Sequence, residues 1–200
     1  MSAIPKHKMT MEEYIEFDKN NEGRWEYFDG EVIDMAGASV SHNRISRNLI
    51  GVFDRKLEGG PCEAFTEGMR IKVPKALPYR YPDVVVVCGE MIIEKIQGQE
   101  MLVNPLLIIE VLSSSTEGYD HGAKFTSYQS IESFQEYLLI AQDRPHITQY
   151  ARQQDGQWLR KDIEGMESVL KLACMDCEIT FDQLYRLVKF SPTESVLRPV

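Results

Sequence analysis

Two carboxylates stand where solvation alone does not account for them. Glu110 interrupts the apolar run Leu106-Leu107-Ile108-Ile109-Glu110-Val111-Leu112, near the end of a strand that Ser113, Ser114, Ser115 and Thr116 close. A buried, isolated carboxylate is costly unless it is paired, protonated or holding a metal. Asp83 follows Tyr81-Pro82 at the mouth of a second apolar run, Val84-Val85-Val86-Val87. Hairpin-like pairing of these two strands would bring both carboxylates to one end of a sheet, a usual place for ligands. Such a pair suits a hard cation, because Mg²⁺ is typically held by one or two carboxylates plus waters and phosphate oxygens. Lys124, with Tyr128 one helical turn beyond it, could turn back to balance the charge and orient an attacking water. Each residue also has a plainer reading. Asp83 could cap a Pro-Asp turn, Glu110 could pair with any nearby cation, and Lys124 could form a surface pair with Asp120 four residues earlier.

The elements that must position these residues follow from pattern. Thr10-Met11-Glu12-Glu13 is a capping box, and Met11, Tyr14, Ile15 and Phe17 fit a short helix ending near Asn20. Trp25–Phe28 and Val32–Met35 are β-prone runs joined by Asp29-Gly30, a strong hairpin signal. After a loop that opens at Gly37 and Ser39, residues Ser41 to Leu57 repeat Ile45, Leu49, Val52, Phe53 and Leu57 at helical spacing, and Gly59-Gly60-Pro61 ends that helix. Ala64 to Val73 reads as one strand, with Phe65, Met69, Ile71 and Val73 favouring one side. A proline-containing loop from Pro74 to Pro82 leads into the valine run, which marks a central strand covered on both faces. Ile92 to Met101 reads as a polar insert, Glu117 to Ser130 as a helix and Glu136 to Ala141 as an apolar strand. Ile147–Arg152, Trp158–Ile163 and Val169–Leu172 alternate like a meander, with Gln154-Asp155-Gly156 as one turn. Phe181 to Val188 is a short helix capped by Thr180. The pattern predicts an α/β (α+β) chain with a mixed central sheet flanked by helices, as one domain over residues 1–190 with a mobile tail at 191–200.

Composition bounds the function classes. The chain has 200 residues, 43% of them hydrophobic and 26% charged, and can bury a full core. No apolar segment approaches a membrane span. The N-terminus lacks the apolar stretch of a secretory signal, so a cytoplasmic protein is expected. Net charge is −9, which argues against coating nucleic acid by bulk electrostatics but leaves room for a local basic face. Arg44, Arg47, Arg55 and Lys56 on the second helix, and Arg70, Lys72, Lys75 and Arg80 around the Asp83 loop, are candidate phosphate contacts; a solvated charged surface is the plainer reading. Among the cysteines, Cys88 reads as a small core residue. Cys174 and Cys177 have C-x-x-C spacing without the second ligand pair that a structural zinc needs. His7, His121 and His146 have no ligand partner at a suitable spacing.

The spaced set Pro82-Asp83, Glu110-Val111-Leu112-Ser113, Asp120 with Lys124 and Tyr128, and Glu136-Tyr137 resembles the Uma-two family. That family consists of restriction-endonuclease-like proteins, widespread in cyanobacteria, within the PD-(D/E)XK nuclease superfamily. Trp25-Glu26-Tyr27-Phe28-Asp29-Gly30-Glu31-Val32 and Ser41-His42 resemble its N-terminal signatures, so the likeness runs from about residue 8 to 188. It implies a restriction-endonuclease-like fold and a metal-dependent DNA endonuclease that hydrolyses phosphodiester bonds, with Mg²⁺ or Mn²⁺ as cofactor. DNA is the implied partner, and a homodimer is the expected assembly, since two sites related by a two-fold axis can cut both strands. By the resemblance, Asp83, Glu110 and the Val111 carbonyl hold the metal. Glu26 adds a carboxylate, and His42 meets a phosphate or acts as a helper base. Glu26 read by itself is an exposed hairpin residue, and His42 a hydrogen-bonded residue opening a helix. The superfamily lysine normally lies two residues after the Glu, where this chain has Leu112, so Lys124 from the following helix becomes its substitute. A catalytically weak or silent nuclease-fold module that binds nucleic acid or another partner, and a structural α/β protein whose acidic pair only balances Lys124, are the competing readings.

Overall fold

The computed structural model describes residues 8–23, 25–28, 30–34, 38–66, 68–74, 79–96, 98–113 and 117–190. His7, Asp29, Met35, Gly37, Lys75, Ser114, Ser115, Thr116 and the 191–200 tail, all named above, lie outside these residues.

Helix α1 (Met11–Asn20) starts at the Thr10 capping box, in which the Thr10 side chain accepts from the Glu13 N–H and Glu13 reaches back. Strands β1 (Trp25–Phe28) and β2 (Glu31–Asp34) form the expected hairpin. Gly30 turns it at φ +88°, and a Cβ there would meet the Lys8 side chain at 2.9 Å, so both the conformation and the space call for glycine. This hairpin packs with α1, Tyr79, Tyr81 and Met101 as a small core of its own.

The central sheet has six strands in the order β10-β9-β8-β7-β4-β3. They are β3 (Cys62–Thr66), β4 (Val84–Cys88), β7 (Leu107–Leu112), β8 (Glu136–Ala141), β9 (His146–Arg152) and β10 (Trp158–Glu164). All neighbours are antiparallel except β7 and β8, which are parallel. A parallel pair needs a crossover connection, and residues 117–134 supply it on one face of the sheet. That face carries Val85, Val87, Ile108, Leu112, Tyr137 and Leu139, packed against Phe125, Tyr128, Ile131 and Phe134. The opposite face carries Val84, Val86, Leu107, Ile109, Val111, Leu138 and Ile140, under α2 (Val40–Lys56) and α5 (Phe181–Leu184). With both faces covered, the valine run and the Glu110 strand are buried along their length except for the half-buried Cys88.

Several local expectations are corrected. The strand expected over 64–73 ends at Thr66, and Ile71 instead bridges Arg80 and Leu102. The stretch expected as a polar insert is a hairpin of β5 (Ile93–Ile96) and β6 (Gln99–Leu102), whose Met101 and Leu102 are buried. The helix expected over 117–130 is three pieces: α3 (Glu117–Tyr119), a π-helical turn (Asp120–Lys124) and α4 (Phe125–Tyr128). β11 (Val169–Lys171) pairs with β12 (Glu178–Thr180), and α5 is shorter than expected although Thr180 caps it. Cys88 is no apolar filler. It lies directly across from Cys62 in the β3–β4 register, and the two form a disulfide. Cys174 and Cys177 are free thiols.

Candidate active site

Strand alternation decides which way Glu110 points. Ile108, Glu110 and Leu112 share the face under the crossover, while Ile109 and Val111 face α2. The β4–β7 register pairs Val84 with Ile109, which places Asp83 opposite Glu110 at the next step. Asp83 Oδ2 accepts the Val111 N–H at 2.7 Å, so that strand edge, freed where the ladder ends, is held by a side chain. In a strand the N–H and C=O of one residue point to the same edge. The Val111 carbonyl therefore faces the Asp83 side as well, while Leu112 O turns the other way and accepts from Gln142.

The π turn brings Lys124 to Glu110. In an unbroken α-helix, residues four apart drift by about 40° per step, so Asp120, Lys124 and Tyr128 would fan across about 80°. A π turn is wider and winds part of that drift back. The Lys124 ammonium reaches Glu110 Oε1 at 2.9 Å, and the Tyr128 hydroxyl donates to the same oxygen at 2.8 Å. Asp120 is not half of a surface pair. It is buried, with its carboxylate 3.5 Å from the ammonium. Glu26 is not exposed either. At 0% exposure it lies 3.5 Å from Lys124 and accepts the Tyr81 N–H through Oε1. Its other oxygen, Oε2, is buried without a hydrogen-bond partner among the described residues. His42, in the first turn of α2, sets Nε2 3.1 Å from Asp83 Oδ2.

The named residues thus gather at one end of β4 and β7. Burial pushes the Glu110 carboxyl well above the usual carboxylate range; Lys124 opposes this, and Asp83, Asp120 and Glu26 reinforce it. Burial works against the Lys124 charge, yet Glu110, Glu26 and Asp120 together hold it as a cation, its pKa well above that of ordinary lysine. Burial also pushes the Tyr119 phenol up to about 12, with the Arg80 charge opposing. A cleft of roughly 480 Å³ opens beside the cluster. Leu112 and Ser113, Ser41 next to His42, Gln142 and Arg144 line it.

A divalent cation is compatible with these residues. Glu26, Asp83, Glu110 and Asp120 outnumber the nearby cations Lys124 and Arg80, and Glu26 Oε2 is an oxygen donor with no partner among the described residues. Among those residues no three His, Cys, Asp or Glu side chains are arranged as a metal cage. That agrees with a Mg²⁺-type site, which uses one or two carboxylates and leaves the other positions to water or phosphate.

Sequence reasoning missed the roles of Arg80 and Arg70. Arg80 is 2% exposed and donates to the Tyr27 carbonyl. Arg70 lies 3.4 Å from the buried Asp18 and over the Tyr79 and Tyr81 rings, and Lys72 pairs with Glu94. Arg80 braces the N-terminal hairpin from within the core, whereas Arg70 and Lys72 are half-buried while they pair with Asp18 of α1 and Glu94 of β5. Their place on the irregular loop before Asp83 gave no periodicity from which burial could be read.

Comparison with known proteins agrees with this architecture. Residues 11–182 match the family model Uma2, described as "Putative restriction endonuclease". The chain is 33% identical over 188 residues to the uncharacterized protein slr1290 of Synechocystis sp., covering 94% of this chain and 97% of that one. It is 34% identical over 167 residues to the uncharacterized protein sll1609 of the same organism, covering 84% and 94%. A crystal structure from Anabaena variabilis, described as "a putative nuclease belonging to DUF820", superposes with a TM-score of 0.71 at 17% identity, covering 88% of this chain and 97% of that one. The fold is that of this nuclease-like neighbour, and the chain belongs to the Uma2 family of restriction-endonuclease-like proteins.

Proposed function

We propose that the protein is a metal-dependent endonuclease that hydrolyses phosphodiester bonds in DNA. The observation that carries this reading is the Lys124 ammonium at 2.9 Å from Glu110, reached from the next helix while Leu112 fills the usual lysine position. Asp83, Glu110 and the Val111 carbonyl would hold Mg²⁺, or Mn²⁺ in its place, with Glu26 as a further carboxylate. When bound, the ion neutralises charge on the scissile phosphate and lowers the pKa of water. Lys124 directs a fixed positive charge at the attacked phosphate and orients the water, in surroundings where burial strengthens electrostatics. His42 keeps Asp83 in place and sits where it can meet a phosphate oxygen or take up a proton. Tyr128 holds Glu110 in its rotamer. The same proposal makes the protein a cytoplasmic homodimer, one centre for each strand.

A second reading is a catalytically weak or inactive nuclease-fold module. It is favoured by the way Lys124 already contacts Glu26, Glu110 and Asp120. Cleavage of plasmid and single-stranded DNA in Mg²⁺ or Mn²⁺ separates the two, using the parent, Asp83→Ala, Glu110→Ala and Lys124→Ala with circular dichroism as the folding control. Cleavage by the parent, lost in all three folded variants, supports the enzyme. A parent that cuts in neither metal, with DNA binding that survives every substitution, supports the module.

A further inference from the structure

Helix α2 carries a second feature that the catalytic cluster does not use. Arg47, Gly51 and Arg55 recur at four-residue spacing on its outer side, away from the Ile45, Leu49, Val52 and Phe53 face that packs on the sheet. Together with Arg186, just beyond α5, they border a groove of roughly 360 Å³ whose lining contains no carboxylate. All three arginines are exposed, and none forms an ion pair among the described residues. Asp54, on the same helix, pairs with none of them. In a chain of net charge −9, this is a local reversal of sign.

The groove is held together by specific contacts. The buried Asn48 amide donates to the carbonyls of Leu184 and Arg186 at 2.8 and 2.9 Å, which ties the turn after α5 onto α2. Leu187, next in the chain, has φ +68°, a strained conformation for a residue of its bulk. That turn sets Arg186 beside the α2 arginines. Gly51 leaves the floor open, with Arg55 Nη1 3.6 Å from where a Cβ would stand.

We infer that this groove binds the phosphodiester backbone of DNA, away from the scissile bond; the choice of ligand rests on the nuclease reading. Guanidinium groups match phosphate oxygens in a two-pronged geometry and stay charged at every working pH. Arg47 to Arg55 spans about 12 Å along the helix, roughly the axial rise of three to four nucleotides. The row begins about 8 Å along α2 from His42, so one rigid helix links backbone contact to the catalytic centre. The groove supplies the positive surface that the overall charge denies, and it contacts backbone without reading sequence.

The test is fluorescence anisotropy with a labelled duplex of about 20 base pairs in EDTA, so that no cleavage occurs. Parent, single Arg55→Gln, triple Arg47→Gln/Arg55→Gln/Arg186→Gln, and a control with Lys19, Lys161 and Lys171 changed to Gln are compared across a salt series. The triple variant should weaken binding about tenfold or more and lower the log K against log salt slope by about two to three. The single variant should lower the slope by about one. The control, which removes the same net charge elsewhere, should stay within about twofold of the parent. A parent that does not bind the duplex at low salt, or a triple variant that loses no more than the control, overturns the proposal. A parent that binds through the arginines yet never cuts in Mg²⁺ leaves the groove standing and removes the nuclease reading.

Discussion

Glu110 and Glu136 are both buried carboxylates on the two parallel strands, yet they face opposite sides of the sheet and live in unlike company. Glu136, at the start of β8, accepts from the Gln149 side chain and from the Ala173 and Cys174 N–H groups. Its donors are neutral, and they stitch the loop after β11 onto the sheet. Glu110, at the end of β7, accepts from a lysine and a tyrosine and has Asp83, Asp120 and Glu26 as like-charged neighbours. Saturation by neutral donors makes a carboxylate a structural bolt. A crowd of like charges around one buried cation makes it a candidate for chemistry.

Four substitutions or conditions test this contrast, from large effect to small. Glu110→Gln should reduce DNA cleavage by about a thousandfold, while Glu136→Gln leaves cleavage by the folded protein unchanged. Equal losses in a plasmid-nicking assay would erase the distinction. Lys124→Met should lower unfolding free energy in urea by about 3–5 kcal/mol, because Glu110, Glu26 and Asp120 lose the cation that balances them. A variant as stable as the parent would mean that the ammonium is not needed for charge balance. Glu136→Gln should cost about 1–3 kcal/mol in the same measurement, since its amide cannot accept from all three donors.

The smallest effect concerns pH. Burial raises the Glu110 carboxyl above the ordinary carboxylate range despite the Lys124 cation, so between the unfolded and folded values the folded, metal-free protein binds more proton at this group than the unfolded chain does. Stability from this group is therefore largest below the unfolded carboxylate pKa of about 4.3. It declines as pH rises from there until Glu110 ionises in the folded state too. Glu110→Gln should flatten that part of a pH series of denaturation midpoints. An unchanged slope would assign it to other groups.

Much of this architecture is legible in the residues alone. The valine run and the Leu106–Leu112 run announce strands covered on both faces, and Thr10 and Thr180 announce the helix caps they form. The pattern leaves the pairing of those two runs as a condition, and the β4–β7 register meets it, with Asp83 opposite Glu110. The second helix is equally plain, since its apolar residues recur without interruption. Legibility ends where periodicity does. The β5–β6 hairpin looks polar because its strands are half-exposed, and the crossover looks like plain helix because a π turn leaves no trace in a hydrophobic pattern.

Sequence by itself determined the strands and the two carboxylates at their ends. These are local matters of alternation, breakers and residue type. Only the tertiary structure decided that Lys124 reaches Glu110, that Glu26 is buried beside it, that His42 meets Asp83 and that Arg186 joins the α2 arginines. Each depends on the phase of a helix, the lie of a hairpin or the course of a turn against distant elements. Packing of the whole chain fixes those, and short-range preference does not.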